Sequence, residues 1–288
     1  MKRIVVVIQI VIVSAMLLSC EKDPSFENGY YLFENGVMNE AERVGLIFLS
    51  WKDVSLPDSV KNAIREIASA MVLVEGDTYT MGDYDYESES PAHEVSLSDY
   101  WISAITVTQK QWCAIMGENQ MWHSAYGKGD DYPANYVSYD QALLFVQRLN
   151  SYAGTHFRLP TEAEWEFAAL GGKRSQGYIY SGSSNIDEVA WYNGNTSGSM
   201  LPVGWKVPNE LGLYDMSGNV CEWCSDWYGT YSGETVTNPA GPTNGTKRVV
   251  RGGNFTLNAN YARCKARNAL TPNNQSLAVG VRLVMDVQ

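Results

Sequence analysis

Three helix-start signatures, the last of them at residues 161–164, constrain this chain more than any other feature. Thr108 is followed three residues later by Gln111, Ser138 by Gln141, and Thr161 by Glu164. At that spacing the hydroxyl caps the third helical amide, and the longer side chain reaches back to the capping residue's own N–H. Gly117 and Gly171 supply stops for the first and third helices. In the second, Ala142, Phe145, Val146 and Leu149 mark a buried face. Upstream, Pro57 and Asp58 precede Val60, Ala63, Ile64 and Ile67, which predicts a short amphipathic helix within 56–70. Met71–Val74 and Thr78–Met81 read as two strands around a turn at Glu75-Gly76-Asp77. Beyond Gly171 the chain is rich in Gly, Asn, Ser, Trp and Tyr and loses helical period, so short strands and long ordered loops are expected there. The fold class is α+β, with little regular secondary structure and no internal repeat.

With 288 residues, 45% of them hydrophobic, the chain can bury a substantial core. Nine Trp and 18 Tyr are expected chiefly to fill gaps in that core; a row of them left exposed would instead indicate stacking on sugars. The net charge of −11 argues against a nucleic-acid or anionic-membrane surface, either of which needs a basic stripe. Lys2 and Arg3, the apolar run Ile4 to Leu18 and then Leu17-Leu18-Ser19-Cys20 have the layout of a signal peptide. The ending resembles a bacterial lipobox, in which cleavage leaves Cys20 to carry lipid; a plain signal peptide or uncleaved anchor is the alternative. The division expected is a signal peptide over 1–19, a lipid-anchored tether over 20–55, the short helix over 56–70 and the main domain over 71–288. An exported protein anchored in the bacterial cell envelope follows, on a membrane face left open.

The run Phe157-Arg158-Leu159-Pro160-Thr161-Glu162-Ala163-Glu164-Trp165-Glu166-Phe167-Ala168-Ala169 resembles the signature of the sulfatase-modifying-factor family, whose catalytic members are formylglycine-generating enzymes. Further segments agree in order: Met71 through Gly82, Tyr100-Trp101-Ile102-Ser103 with Val107-Thr108-Gln109, Pro133 through Ser138, Asn209 through Val220, Arg251-Gly252-Gly253, and Gly280-Val281-Arg282. The resemblance covers about residues 71 to 286. It implies a C-type-lectin-related fold.

Fold alone does not establish function. By the resemblance, catalytic members oxidise a substrate cysteine to formylglycine with two copper(I)-binding cysteines, and soft thiolates suit that ion. Here Leu257 and Ala262 stand at the two cysteine positions, Asn254 replaces a Ser and Asn258 a His. Cys221 stands where a pocket Trp is expected and Ala278 where an Asn is expected, leaving Tyr261 as the retained cleft residue. Neither Leu nor Ala ligates copper, so copper is not expected. The resemblance also implies a structural Ca²⁺ held by Asp215 and Glu222 with the carbonyls of Gly218 and Val220, hard oxygen donors of the kind calcium takes. Hydrogen bonding of the two carboxylates within the loop, without metal, is the alternative.

Of five cysteines, Cys20 is assigned to the anchor. By the resemblance Cys264 matches a position that commonly forms a disulfide; its usual partner position is Ala169 here, and Cys224 is taken as an alternative partner, which would leave Cys221 and Cys113 unpaired. Cys113, beside Trp112, is expected to be buried and inert. His93, His123 and His156 have no metal-ligand spacing, and no phosphate loop, nucleophile elbow or zinc pattern is present. Two functions remain. One is a non-catalytic binding or surface-assembly module for a peptide, glycan or protein ligand. The other is a cysteine-oxidising oxidoreductase, with Cys221 as the candidate catalytic residue.

Overall fold

The computed structural model describes residues 56–287; the segments expected to be signal peptide and tether, Cys20 among them, lie outside the described residues. Helix α1 (Asp58–Ser69) buries Val60, Ala63, Ile64, Ile67 and Ala68. Its Glu66 meets Lys110 of α2 (Gln109–Met116) at 2.6 Å.

The strands β1 (Met71–Val74) and β2 (Thr78–Met81) do not form the hairpin expected from sequence. Instead β2 pairs antiparallel with β3 (His93–Ser96), and β1 with β4 (Tyr100–Ser103). The segments 71–81 and 93–103 are thus one bent antiparallel pair, whose halves belong to different sheets. Gly76 lies at the bend. Its amide donates to Asp99 Oδ1 at 2.8 Å, and a Cβ there would come within 2.1 Å of the Leu97 carbonyl oxygen. Only glycine permits that approach.

All three capping boxes form, opening α2, α3 (Tyr139–Ala153) and α4 (Glu162–Ala169). On α3 the expected face is buried, including Phe145 and Leu149. Between α3 and α4 lies β5 (Phe157–Arg158); a single-turn α5 (Ile186–Val189) follows. The rest is loop and short strand: β6 (Cys221–Trp227), β7 (Val236–Thr237), β8 (Arg248–Arg251), β9 (Arg267–Leu270), β10 (Val279–Gly280) and β11 (Val284–Asp286). The sheets run β1-β4-β11-β5, β10-β6-β8-β9 and β2-β3-β7. Among the described residues no helix is long and apolar enough to cross a membrane.

Helix α4 is the hub of the core. All eight of its residues are buried, so it lacks the polar face of a surface helix. Trp165, Phe167 and Ala168 pack in one apolar cluster with Val74, Met81, Ile102 and Val249, which come from four different strands. Trp101, Trp112, Trp122, Trp165 and Trp223 are buried, in keeping with a structural role for most of the large rings, whereas Trp205 is exposed.

Candidate functional site

Helix α4 carries three glutamates into this core, and each must be compensated there because an unpaired buried charge is costly. Glu162 and Glu166 are one turn apart and share a face. Glu162 accepts from Arg251 Nε at 2.9 Å and from Arg267 Nε and Nη2 at 2.8 and 2.6 Å. Glu166 accepts from Arg251 and from the Gly82 amide. Arg251 and Arg267 stand directly opposite each other on β8 and β9, an arrangement that repels without the carboxylate between them. The five N–H groups of Arg251 are matched by Glu162, Glu166, the Tyr231 hydroxyl and the carbonyls of Cys264 and Ala266. Burial pushes the Glu166 carboxyl up, and Arg251 opposes that rise. Glu164 instead caps its own helix and pairs with Arg158 at 2.7 Å.

On another side of α4, Trp165 Nε1 donates to Glu222 Oε2 at 2.7 Å. The same oxygen accepts from Arg282 Nε at 2.8 Å, while Oε1 accepts from the Thr106 hydroxyl at 2.6 Å. Arg282 also donates to the carbonyls of Ser103 and Tyr214. It thereby ties residue 214 to residue 222, the two ends of the loop expected to hold calcium. Within that loop Gly218 has φ 81°, and a Cβ there would meet the Trp191 carbonyl oxygen at 2.3 Å. Asp215 is buried; its Oδ2 accepts from the Gly204 amide at 2.7 Å, and Oδ1 has only a 3.5 Å contact with Asn219. Burial pushes its carboxyl up to about 6, with Glu222 adding to the rise.

These residues fit a hard cation in kind. Asp215 is a buried carboxylate with an under-used oxygen, and Glu222 Oε1 has a single donor. Among the described residues no group of three or more His, Cys, Asp and Glu side chains converges as a metal site. A cation here therefore depends on carbonyls such as those of Gly218 and Val220 to complete its oxygen shell.

The residues aligned with the family cleft divide into two groups. Cys221, Asn254 and Ala278 meet: the Cys221 thiol donates to the Ala278 carbonyl at 3.2 Å, and Asn254 Nδ2 lies 4.0 Å from its sulfur. Around them Val220, Phe255, Met200 and Ala278 form a small apolar cluster. Burial pushes the Cys221 thiol up to about 12. Leu257, Asn258, Tyr261 and Ala262 lie on the following turn, where Asn258 caps the 3₁₀ segment Ala259–Ala262. Gly253 lets that turn fold back, since a Cβ there would sit 2.6 Å from the Tyr261 carbonyl oxygen. Ala262 is buried, whereas Tyr261 is 43% exposed.

Two cysteine expectations are corrected. Cys224 and Cys264 are not bonded to each other; both are free, buried thiols in the central cluster. The Cys264 thiol instead donates to the Ala169 carbonyl at 3.3 Å, which places Ala169 beside it as the family alignment implied. Burial raises both thiols well above their ordinary range, disfavouring the thiolate that disulfide exchange requires. Cys113 is exposed rather than buried. Helix α2 turns Trp112 and Ile115 inward, and Cys113 falls off that face.

Farther along β6, Asp226 is 3% exposed. Its Oδ2 accepts from the Glu162 amide and the Ser225 hydroxyl. Burial, reinforced by Glu162, pushes this carboxyl up to about 7. The folded state keeps a proton that the unfolded chain loses near pH 4, so Asp226 lowers stability progressively as pH rises from about 4 to about 7. Asp226→Asn is expected to melt about 3 °C or more above the parent at pH 8, with the gap closing toward pH 4. A constant gap across that range in thermal melts would contradict the assignment.

The chain's similarities to known proteins agree with this anatomy. The family profile described as "Sulfatase-modifying factor enzyme 1-like domain" matches residues 57–287, a span that includes α1. "Chaperone protein LppX" of Paenibacillus barcinonensis is 32% identical over 76% of this chain and 90% of its own length. The formylglycine-generating enzyme of Thermomonospora curvata is 28% identical over 80% and 97% respectively. Among solved structures, Treponema denticola variable protein 1 superposes with a TM-score of 0.71 at 29% identity, covering 75% of this chain and 95% of that one. PvdO from Pseudomonas aeruginosa shares the fold, with a TM-score of 0.65 at 24% identity and coverage of 75% and 94%. With its signature glutamates and arginines assembled around α4 and most of its length matched, the chain belongs to the sulfatase-modifying factor enzyme 1-like domain family.

Proposed function

We propose that this protein is an exported lipoprotein, anchored in the bacterial cell envelope through lipid on Cys20, whose domain binds another polypeptide without performing chemistry on it. The observation that carries this reading is the state of the cleft. By the family resemblance Leu257 and Ala262 stand at the positions of the copper-binding cysteines, and burial keeps the flanking thiols of Cys221 and Cys264 protonated. A protonated thiol is neither a copper(I) ligand nor a nucleophile. The relative named as a chaperone supports a role in holding a protein partner. So does the surface beside the cleft: Tyr86, Tyr178, Ile179 and Tyr261 are exposed. Arg263 stacks on the Tyr86 ring at 3.6 Å, and the Cys264 amide donates to the Ile179 carbonyl, which joins these segments into one face. Exposed rings grouped around an arginine are the composition of a protein-binding surface.

The full chain is expected to leave a cysteine-motif peptide unmodified when incubated with copper(I) and oxygen, as read by mass spectrometry against a competent family enzyme. Conversion to the aldehyde would overturn the binding reading. The contact of Cys221 with Asn254 and Ala278 favours oxidation of a substrate cysteine as the second reading, and in that case Cys221→Ser should abolish conversion.

A structural calcium ion belongs to the same proposal, held by Asp215 and Glu222 with the carbonyls of Gly218 and Val220. Its chemistry would be charge compensation for two buried carboxylates. Adding Ca²⁺ at a hundredfold excess over its Kd to chelator-treated protein is expected to raise the Tm by about 5–10 °C. No shift, with Mg²⁺ as the comparison, would remove calcium from the reading.

A further inference from the structure

Away from the cleft, a cavity of about 450 Å³ opens between the ends of β3 and β6 and the loop 229–242. Its walls are largely apolar, with Met81, Trp227, Val236, Pro239 and Pro242 among them, and its polar groups are unequal in their bonding. Arg267 lines it, yet its guanidinium is already committed to Glu162 and to the carbonyls of Ser88 and Gly229. Glu162 is matched by its two arginines. Asp226 is different: both bonds to its carboxylate fall on Oδ2, and Oδ1 has no hydrogen-bond partner among the described residues. Gly241, at φ 70°, packs against this carboxylate so closely that a Cβ would come within 3.0 Å of Oδ1.

The second open group is His93. Its Nδ1 lies 3.2 Å from the Pro91 carbonyl, an oxygen that can only accept, so Nδ1 carries the hydrogen. In the neutral ring Nε2 is then a bare acceptor, and the ring is held in place against Tyr231 at 4.8 Å. Besides the hydroxyls of Thr230, Ser232 and Thr237, the cavity therefore offers two acceptors above neutral pH, one of them a nine-tenths-buried carboxylate, and its arginine is already engaged. A ligand must bring donors and, to compensate the carboxylate, positive charge; the apolar walls call for a hydrocarbon stem.

We propose that this cavity is a binding site for a primary ammonium group carried on a short apolar stem, with Asp226 and His93 as its polar contacts. The chain's net charge of −11 favours the approach of such a cation. The ammonium can come from a free alkylamine or from a lysine side chain of a bound polypeptide, and the assignment does not depend on the function proposed for the cleft.

The test is calorimetric titration of the full chain with n-pentylamine at pH 8, where Asp226 is ionised, in phosphate buffer because Tris is itself a primary amine. 1-Pentanol supplies the same stem without charge, and pentanoate the opposite charge. Pentylamine is expected to bind saturably and at least about tenfold more tightly than either control. Asp226→Asn, a near-isostere, should weaken it about tenfold or more while the thermal melt shows a folded protein, and His93→Leu should weaken it to a lesser degree. Blocked lysine (Nα-acetyl-lysine amide) binding as well as pentylamine would identify a polypeptide source, and exclusion of blocked lysine a free amine. Equal binding of amine and alcohol, or undiminished amine binding by Asp226→Asn, would overturn the proposal.

Discussion

Replacing Arg251 with methionine is expected to destabilise the domain by about 3–5 kcal/mol, the cost of leaving buried carboxylates without their counter-charge. For a domain of this size that lowers the Tm by about 10 °C or more. Arg251 has no exposed side-chain surface, and neither has Glu166. Methionine fills a similar volume, so the loss is electrostatic rather than a cavity. Arg251→Lys should fall between, since an ammonium keeps the charge but cannot match five acceptors in a planar fork. The double variant Arg251→Met/Glu166→Leu should recover part of the loss, because it removes a carboxylate together with its partner. Thermal and urea melts of these proteins, with Glu166→Leu alone to complete the cycle, give the coupling; an Arg251→Met variant within about 2 °C of the parent would mean the network is not holding the core.

Glu222→Leu carries an expected loss of about 5 kcal/mol or more, enough to deplete soluble protein. The substitution strands the Arg282 guanidinium, itself without exposed surface, together with the Trp165 N–H and the Thr106 hydroxyl. Glu222→Gln retains an acceptor and the shape and should be milder. Both are to be measured with chelator present, so that loss of the ion pair is read apart from any loss of calcium. Indistinguishable melts for the Leu and Gln variants would argue that Arg282 takes its stability from the Ser103 and Tyr214 carbonyls instead.

Much of the domain's first half was legible in the chain. The capping boxes at Thr108, Ser138 and Thr161 and the apolar face of α3 predict helices that the structure contains. The same local reasoning failed where a contact from elsewhere decided the outcome. Met71–Val74 and Thr78–Met81 were legible as strands, but not their assignment to two sheets, because the bend at Gly76 is made by Leu97 and Asp99. Cys113 sits one residue from Trp112, and only the orientation of α2 on its neighbours turns it to solvent.

The candidate sites divide in the same way. The absence of thiols at 257 and 262 could be read from sequence once the motifs were aligned. The meeting of Cys221 with Asn254 and Ala278 brings together β6 and two loop residues 33 and 57 positions farther along the sequence. No sequence signal marked Asp226 or His93. The nearest available hint was the Glu162–Glu166 pair, two acids on one face of a helix otherwise too apolar to be exposed. Their partners could not be named in advance, for Arg251 and Arg267 lie 89 and 105 residues beyond Glu162. Helix caps and burial periods act between neighbours, so the sequence by itself determined where α2, α3 and α4 begin and which face α3 buries. Charge compensation in a low-dielectric core acts between whichever groups the fold brings together. The tertiary structure alone therefore decided which carboxylates are matched by arginine and which, like Asp226, remain open to a ligand.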